Sequence, residues 1–249
     1  MDWNYPLATE KPEICVNGEN RIQSMFNAVA PKYDFLNCLL SVGCDRFWRK
    51  AAVNEFKSFG NKTFLDVATG TADIPLEIGK RHPKPMQIVG MDFSLSMLKV
   101  GNKKISNNKL NNDIKLIPGA AENIPFKDHS FDGVITSFGV RNFIDAKQGL
   151  REMHRILKPN GKIVILEFSF PKNLILQWLY RYYFEKILPV TGRIISGHKT
   201  AYSYLPSSVI NFPQGEAFKI MLECAGFKYI SFKPLTLGIV TLYKAIKNG

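Results

Sequence analysis

The sequence predicts an α/β domain on a seven-stranded, mostly parallel sheet with helices on both faces. Three observations carry that expectation. From Thr63 onward, short apolar runs of strand length alternate with segments of helical period, the pattern of βαβ units. The first run, TFLDVA, passes through a turn carrying Gly70 into the helical stretch IPLEIGKRH, as the opening unit of a doubly wound sheet does. The chain finishes on two strand-like runs with a short connection, so the last strand is expected to run antiparallel.

In order, residues 1–20 are polar and read as loose. Ile22, Met25, Phe26 and Val29 share one helical face, which Pro31 ends or kinks. YDFLNCLLSVGCDRFWRKAAVNEF continues as helix, interrupted near Gly43. TFLDVA, QIVGMDFS, IKLIPGAA, FDGVITSFG and KIVILEFSF are strands one to five. IPLEIGKRH, LSMLKVGNKKI and AKQGLREMHRIL are helices between them, the last closed by the stop signal KPNG. EAFKIMLECAG is a helix with a glycine stop, followed by the strands FKYISFKPL and GIVTLYKAIK. The aromatic segment 171–214 shows no strand pattern and reads as a helical insertion over one sheet edge. Residues 1–249 thus form a single domain: an N-terminal helical cap (1–60), a ligand-binding core (61–170), the insertion (171–214) and a C-terminal helix and hairpin (215–249).

Composition narrows the partners. The chain has 249 residues and a formal net charge of +12, from 33 basic and 21 acidic side chains. That balance suits an anionic partner such as nucleic acid, an anionic membrane surface or a phosphorylated ligand, or else a merely soluble basic surface. Cys15, Cys38, Cys44 and Cys224 form no C-x-x-C pair, so reduced thiols are expected and neither a metal site nor a disulfide framework is. The N-terminus lacks an apolar signal region, and no run of about 18 apolar residues would span a bilayer.

Four strand ends carry the ligand argument. Gly70 lets the backbone of the first turn approach a ligand. The dinucleotide fingerprint G-x-G-x-x-G and the phosphate-loop pattern are both absent. Asp92 ends the second strand, where an acid accepts hydrogen bonds from ribose hydroxyls, although an N-cap would look the same; Asp73 has the same alternative. Small residues, Gly119 to Ala121, close the third strand and leave room for a flat ring; Ser137 and Gly139 close the fourth. Ribose and adenine without a pyrophosphate grip point to S-adenosylmethionine and to methyl transfer.

The residues also resemble a known family. FNAVAPKYDFLN, FLDVATGTAD, MDFSLSML, AENIPFKDHSFDGVITSFGVRNF, MHRILKPNGKIVILEFS and YSYLPSSVINFP are similar to segments of the ubiquinone/menaquinone biosynthesis C-methyltransferases. The resemblance implies the class I S-adenosylmethionine-dependent methyltransferase fold. It implies cofactor contacts at Thr71, Asp92, Ala120, Ala121 and Ser137, beside the cofactor approach already read at Gly70. Two positions depart from the family pattern. Ala72 stands where the family turn usually has glycine, and would be strained at positive φ but harmless as the first helical residue, the reading favoured. Ala120 stands where relatives often carry a polar residue.

The resemblance further implies methylation of a ring carbon of a polyprenylated quinol, with demethylmenaquinol favoured and a ubiquinone-pathway benzoquinol as the alternative. Arg141 would stabilise the quinolate oxygen, or make a structural ion pair; Asn142 would orient the hydroxyl or a water. Tyr33 and Asp34 would close over the substrate, or cap and pack their helix. His198 is set aside as structural. The implied setting is cytoplasmic, with reversible contact to an anionic membrane surface driven by the aromatic insertion and the basic charge. No nucleic-acid partner is expected, since TSFGVRN replaces the turn typical of base-amino methyltransferases. A homo-oligomer is compatible with this reading. A non-enzymatic cofactor-binding scaffold and a small-phenol or sterol methyltransferase are the remaining alternatives.

Overall fold

The computed structural model describes residues 19–57, 62–81, 87–111, 113–171, 173–182 and 208–249. His198 and most of YSYLPSSV lie outside them, as does Cys15.

The N-terminal helices are α1 (Glu19–Val29), α2 (Tyr33–Leu40) and α3 (Cys44–Asn54). Pro31 sits in a single 3-10 turn between α1 and α2, where a missing N–H ends the α-helical ladder. Between α2 and α3 the chain reverses through Val42 and Gly43, both at positive φ (51° and 75°).

The core alternates β1 (Thr63–Val67), α4 (Asp73–Arg81), β2 (Gln87–Asp92), α5 (Leu95–Asn107), β3 (Ile114–Pro118), β4 (Phe131–Ser137), α6 (Ala146–Ile156) and β5 (Leu157–Phe168). α7 (Leu174–Tyr182) follows, then α8 (Glu216–Cys224), β6 (Phe227–Leu235) and β7 (Val240–Lys247). The seven strands lie in the order β3-β2-β1-β4-β5-β7-β6. β1 to β5 pair in parallel, and β7 inserts antiparallel between β5 and β6. The topology reverses between β1 and β4, so a crevice opens at their carboxyl ends.

Alternation along the strands divides the core in two. Leu65, Val67, Ile163 and Ile165 face α6 and α8 through Leu150, Met153, Phe218 and Leu222. Phe64, Val164 and Leu166 face the other way, against Trp48, Ala52 and Val53 of α3 and Ile74, Leu76 and Ile78 of α4. Both faces are covered, which is why the central strands read as continuous apolar runs. α1 and the turn after it rest on α5 through a smaller cluster, Val29, Ala30 and Met97. Trp48 anchors α3: its Nε1 donates to Thr236 Oγ1 at 2.7 Å, and its ring meets Phe138 and Phe168 edge-on.

Candidate active site

The turn after β1 is fixed by its own backbone. Thr69 N donates to the Met91 carbonyl (3.0 Å), Ala72 N to the Thr69 carbonyl (3.0 Å) and Gly70 N to Asp92 Oδ2 (2.8 Å). Thr69 Oγ1 donates to Asp66 Oδ2 at 2.6 Å, beneath the turn. Ala68, Gly70 and Ala72 all take positive φ (57°, 56° and 65°). Ala72 is therefore not the first helical residue, contrary to the reading favoured from the sequence; α4 starts at Asp73. The turn reaches the helix through a left-handed step, so alanine carries strain of about 1 kcal/mol or more there.

A cleft enclosing about 400 Å³, part of it open solvent, lies beside this turn. Phe26 and Tyr33 line it from the cap, Gly70 from the turn, and Asp92, Phe93 and Met97 from the β2–α5 connection. Ser137, Gly139, Asn142 and Phe143 line it from the segment after β4. A Cβ on Gly70 would lie 3.9 Å from Tyr33 Cε1, an ordinary contact, so it is the positive φ of 56° rather than lack of space that favours glycine there.

Asp92 is the charged group of the cleft. Its Oδ1 accepts from Ser94 N and its Oδ2 from Gly70 N, each at 2.8 Å. Burial pushes its carboxyl up to about 6, against those two bonds, which pull it down. Ser94 rather than Asp92 caps α5, its Oγ accepting from Met97 N, so the N-cap alternative for Asp92 falls away. Each Asp92 oxygen retains acceptor capacity for a hydroxyl. The Ser137 hydroxyl is buried without a hydrogen-bond partner. Phe26 meets Phe93 edge-on at 6.0 Å, giving the cleft an apolar wall. A buried acceptor pair, an orphan hydroxyl and an aromatic wall fit an adenosine-bearing cofactor.

The structure thus brings Gly70, Asp92, Ser137, Asn142 and Tyr33 to one cleft. The remaining sequence candidates lie outside its lining. The Thr71 hydroxyl donates to Asp34 Oδ1 at 2.5 Å and accepts from Lys104 Nζ at 3.2 Å. Ala120 bridges to Asn123, and Ala121 packs in the core beside Leu150. Arg141 pairs with Glu167 (2.5 Å), and its NH1 also donates to the Phe138 carbonyl (2.6 Å). The Arg141 guanidinium lies over the Phe168 ring, 5.1 Å from its centroid.

Sequence reasoning passed over Phe93, Met97, Asp66 and Lys104. Phe93 directly follows Asp92, which was a usable signal. So was Asp66, an acid inside an apolar strand; burial holds its carboxyl up at about 8. Lys104 gave none, because its partners are remote in sequence.

Comparison with known proteins places the chain in a family. The model of the ubiE/COQ5 methyltransferase family matches residues 14–247. The ubiquinone/menaquinone biosynthesis C-methyltransferase UbiE of Geotalea daltonii is 47% identical over 227 residues, covering 91% of this chain and 96% of its own. The demethylmenaquinone methyltransferase of Bacteroides fragilis is 38% identical over 245 residues, covering 98% of this chain and 100% of its own. Among solved structures, a SAM-dependent methyltransferase from Thermotoga maritima shares the fold, with a TM-score of 0.62 at 17% identity, over 90% of this chain and 99% of its own.

Proposed function

The chain belongs to the ubiE/COQ5 methyltransferase family, and from that premise we propose that it methylates a ring carbon of a polyprenylated quinol, turning demethylmenaquinol into menaquinol. The fold is that of the class I S-adenosylmethionine-dependent methyltransferases, and S-adenosylmethionine is the methyl donor. The observation that carries the reading is that Asp92, Ser137, Tyr33 and Asn142 line one cleft beside the Gly70 turn.

S-adenosylmethionine supplies, when bound, an electrophilic methyl on a sulfonium sulfur. The chain's own groups do the rest. Asp92 would accept from the ribose hydroxyls, Ser137 would offer its unpaired hydroxyl, and Phe26 and Phe93 form the apolar wall of the cleft. A quinol carbon becomes nucleophilic when the neighbouring ring hydroxyl loses its proton. Burial raises the Tyr33 phenol above its ordinary value, so Tyr33 stays protonated and serves as a donor rather than a base. The Asn142 side chain is steadied by its Nδ2 bond to the Phe138 carbonyl (3.2 Å) and can orient the quinol hydroxyl. Arg141, held by Glu167 and by the same carbonyl, is a positioning residue in this reading: it fixes the Val140–Asn142 turn that presents Asn142. Holding donor and acceptor in line supplies much of the rate by itself.

A polyprenyl tail stays in the bilayer. Among the described residues no helix is long and apolar enough to cross a membrane. The reading therefore includes reversible contact with an anionic membrane surface from the cytoplasmic side. Leu174 (79% exposed) and Trp178 (66%) on α7 and Val42 (88%) at the α2–α3 joint are among the exposed apolar groups of the described residues that could make it, and the net charge of +12 supplies the attraction.

The test incubates purified protein with labelled donor and each reduced quinone head. A methylated naphthoquinol is the expected product. A methylated benzoquinol would favour the ubiquinone-pathway reading suggested by the name of the Geotalea relative. No quinol product would overturn the proposal.

A further inference from the structure

We propose that Lys104 is a latch fastening the α1–α2 cap over the cleft, and that its release admits and discharges the cofactor. The second half rests on the cleft being the cofactor site. Lys104 stands on α5. Its ammonium donates to Asp34 Oδ2 on α2 (2.8 Å), to Thr71 Oγ1 in the turn (3.2 Å) and to Asp73 Oδ1 at the start of α4. Three donors thus meet three acceptors, one from the cap and two from the joint between β1 and α4. The Thr71 hydroxyl closes the ring by donating to Asp34 Oδ1 at 2.5 Å.

Asp34 is the neighbour of Tyr33, which lines the cleft against Gly70. Seating Asp34 on Lys104 therefore seats Tyr33 on the cleft. The joint that would move is also visible. α3 is bolted to the sheet through the buried Trp48, and Arg49 ties it to Asp73 Oδ2 at 3.2 Å. α1 and α2 are held on α5 and its N-terminal turn by smaller contacts that include the apolar cluster on Met97, Gln23 Nε2 to the Phe93 carbonyl (2.6 Å), and Asn27 Oδ1 from Ser94 Oγ (2.7 Å). Val42 and Gly43, at positive φ, lie between the fixed and the lighter parts.

Exposure separates a latch from a bolt. In the Arg141–Glu167 pair the side chains are 7% and 0% exposed. In the Lys104–Asp34 pair they are 24% and 40% exposed. Water and salt reach the second pair, so it exchanges partners at modest cost.

Hydrogen exchange and donor binding test this together. In the ligand-free protein, Lys104→Met should raise amide exchange over Tyr33–Leu40 about tenfold while the sheet stays protected, and donor dissociation should quicken by a similar factor. Lys104→Arg should restore both, and Asp34→Asn combined with Lys104→Met should add little further. Unchanged exchange over Tyr33–Leu40, or exchange rising equally across the sheet, would overturn the latch. Faster exchange with unchanged donor dissociation would overturn its role in cofactor passage. Wild-type protein that binds no donor would instead overturn the cofactor reading, while the exchange data still decide the fastening.

Discussion

Arg141 and Glu167 form an ion pair at 2.5 Å in which the glutamate is fully buried. Glu167 Oε1 also accepts from Phe168 N (3.1 Å), and its Oε2 from Arg141 N (3.2 Å), so the carboxylate gathers the backbone on both sides of the pair. Arg141→Ala leaves that carboxylate buried and unpaired, at a cost of about 3–5 kcal/mol. Urea unfolding should show the loss, and the double variant Arg141→Met/Glu167→Leu should recover most of it. Full stability in Arg141→Ala, with turnover lost, would return Arg141 to a direct role on the quinol.

Asp66 makes stability depend on pH. Its carboxyl is raised from 3.8 to about 8, so the folded protein holds a proton that the unfolded chain releases. Between those values the stabilisation from this group falls as pH rises, at up to about 1.4 kcal/mol per pH unit. Asp66→Asn should flatten the curve of unfolding free energy against pH. An unaltered curve would mean Asp66 is ionised in the fold.

Asp92 couples pH to the cofactor. Its carboxyl titrates at about 6, and ribose hydroxyls favour the ionised form. Affinity for S-adenosylmethionine should fall as pH drops through that value, and binding there should release a proton. Calorimetry in buffers of different ionisation enthalpy measures the release. Asp92→Asn should bind more weakly and lose this pH dependence.

Ala72 offers a finer test. Its positive φ costs about 1 kcal/mol or more, which Ala72→Gly would relieve. Its methyl, however, is fully buried, 3.1 Å from where a Cβ on Gly101 would lie. Losing it costs about 0.8 kcal/mol, and glycine adds chain entropy to the unfolded state. The two effects nearly cancel, so thermal unfolding of Ala72→Gly should match the parent within about 0.5 kcal/mol. A large gain would mean the methyl contributes little to packing.

Membrane contact should divide into two parts. Co-sedimentation with anionic vesicles should weaken at high salt, since each basic residue near the surface contributes about 1 kcal/mol through a screened field. Trp178→Ser and Leu174→Ser should reduce the salt-resistant remainder. Equal binding to neutral and anionic vesicles would remove the electrostatic part.

The strands β1, β2, β4 and β5 were legible because each is an apolar run, and β7 announced its direction through its short connection to β6. Asp92 and Ser137 were legible for a related reason: in a parallel sheet, residues at successive strand ends converge on the same edge. Ala72 was misread because a one-residue left-handed step leaves no periodic trace. The environment of Arg141 depends on Glu167, on the adjacent strand, and that of Asp34 on Lys104. Such pairings come from tertiary packing, which local pattern does not encode.

The anchoring of α3 has a consequence for the order of assembly. Trp48 is seated by Thr236, and Glu55 of the same segment by Lys244 at 3.0 Å. During synthesis these early residues emerge long before their partners, and the loops they close are among the longest in the chain. Those two polar ties must wait for the last two strands, whereas the apolar face of α3 already has its partners in Phe64, Ile74 and Leu76. A nascent chain has β1 and α4 available to cover Trp48 and Val53, and gains the ties to Thr236 and Lys244 only with its last residues.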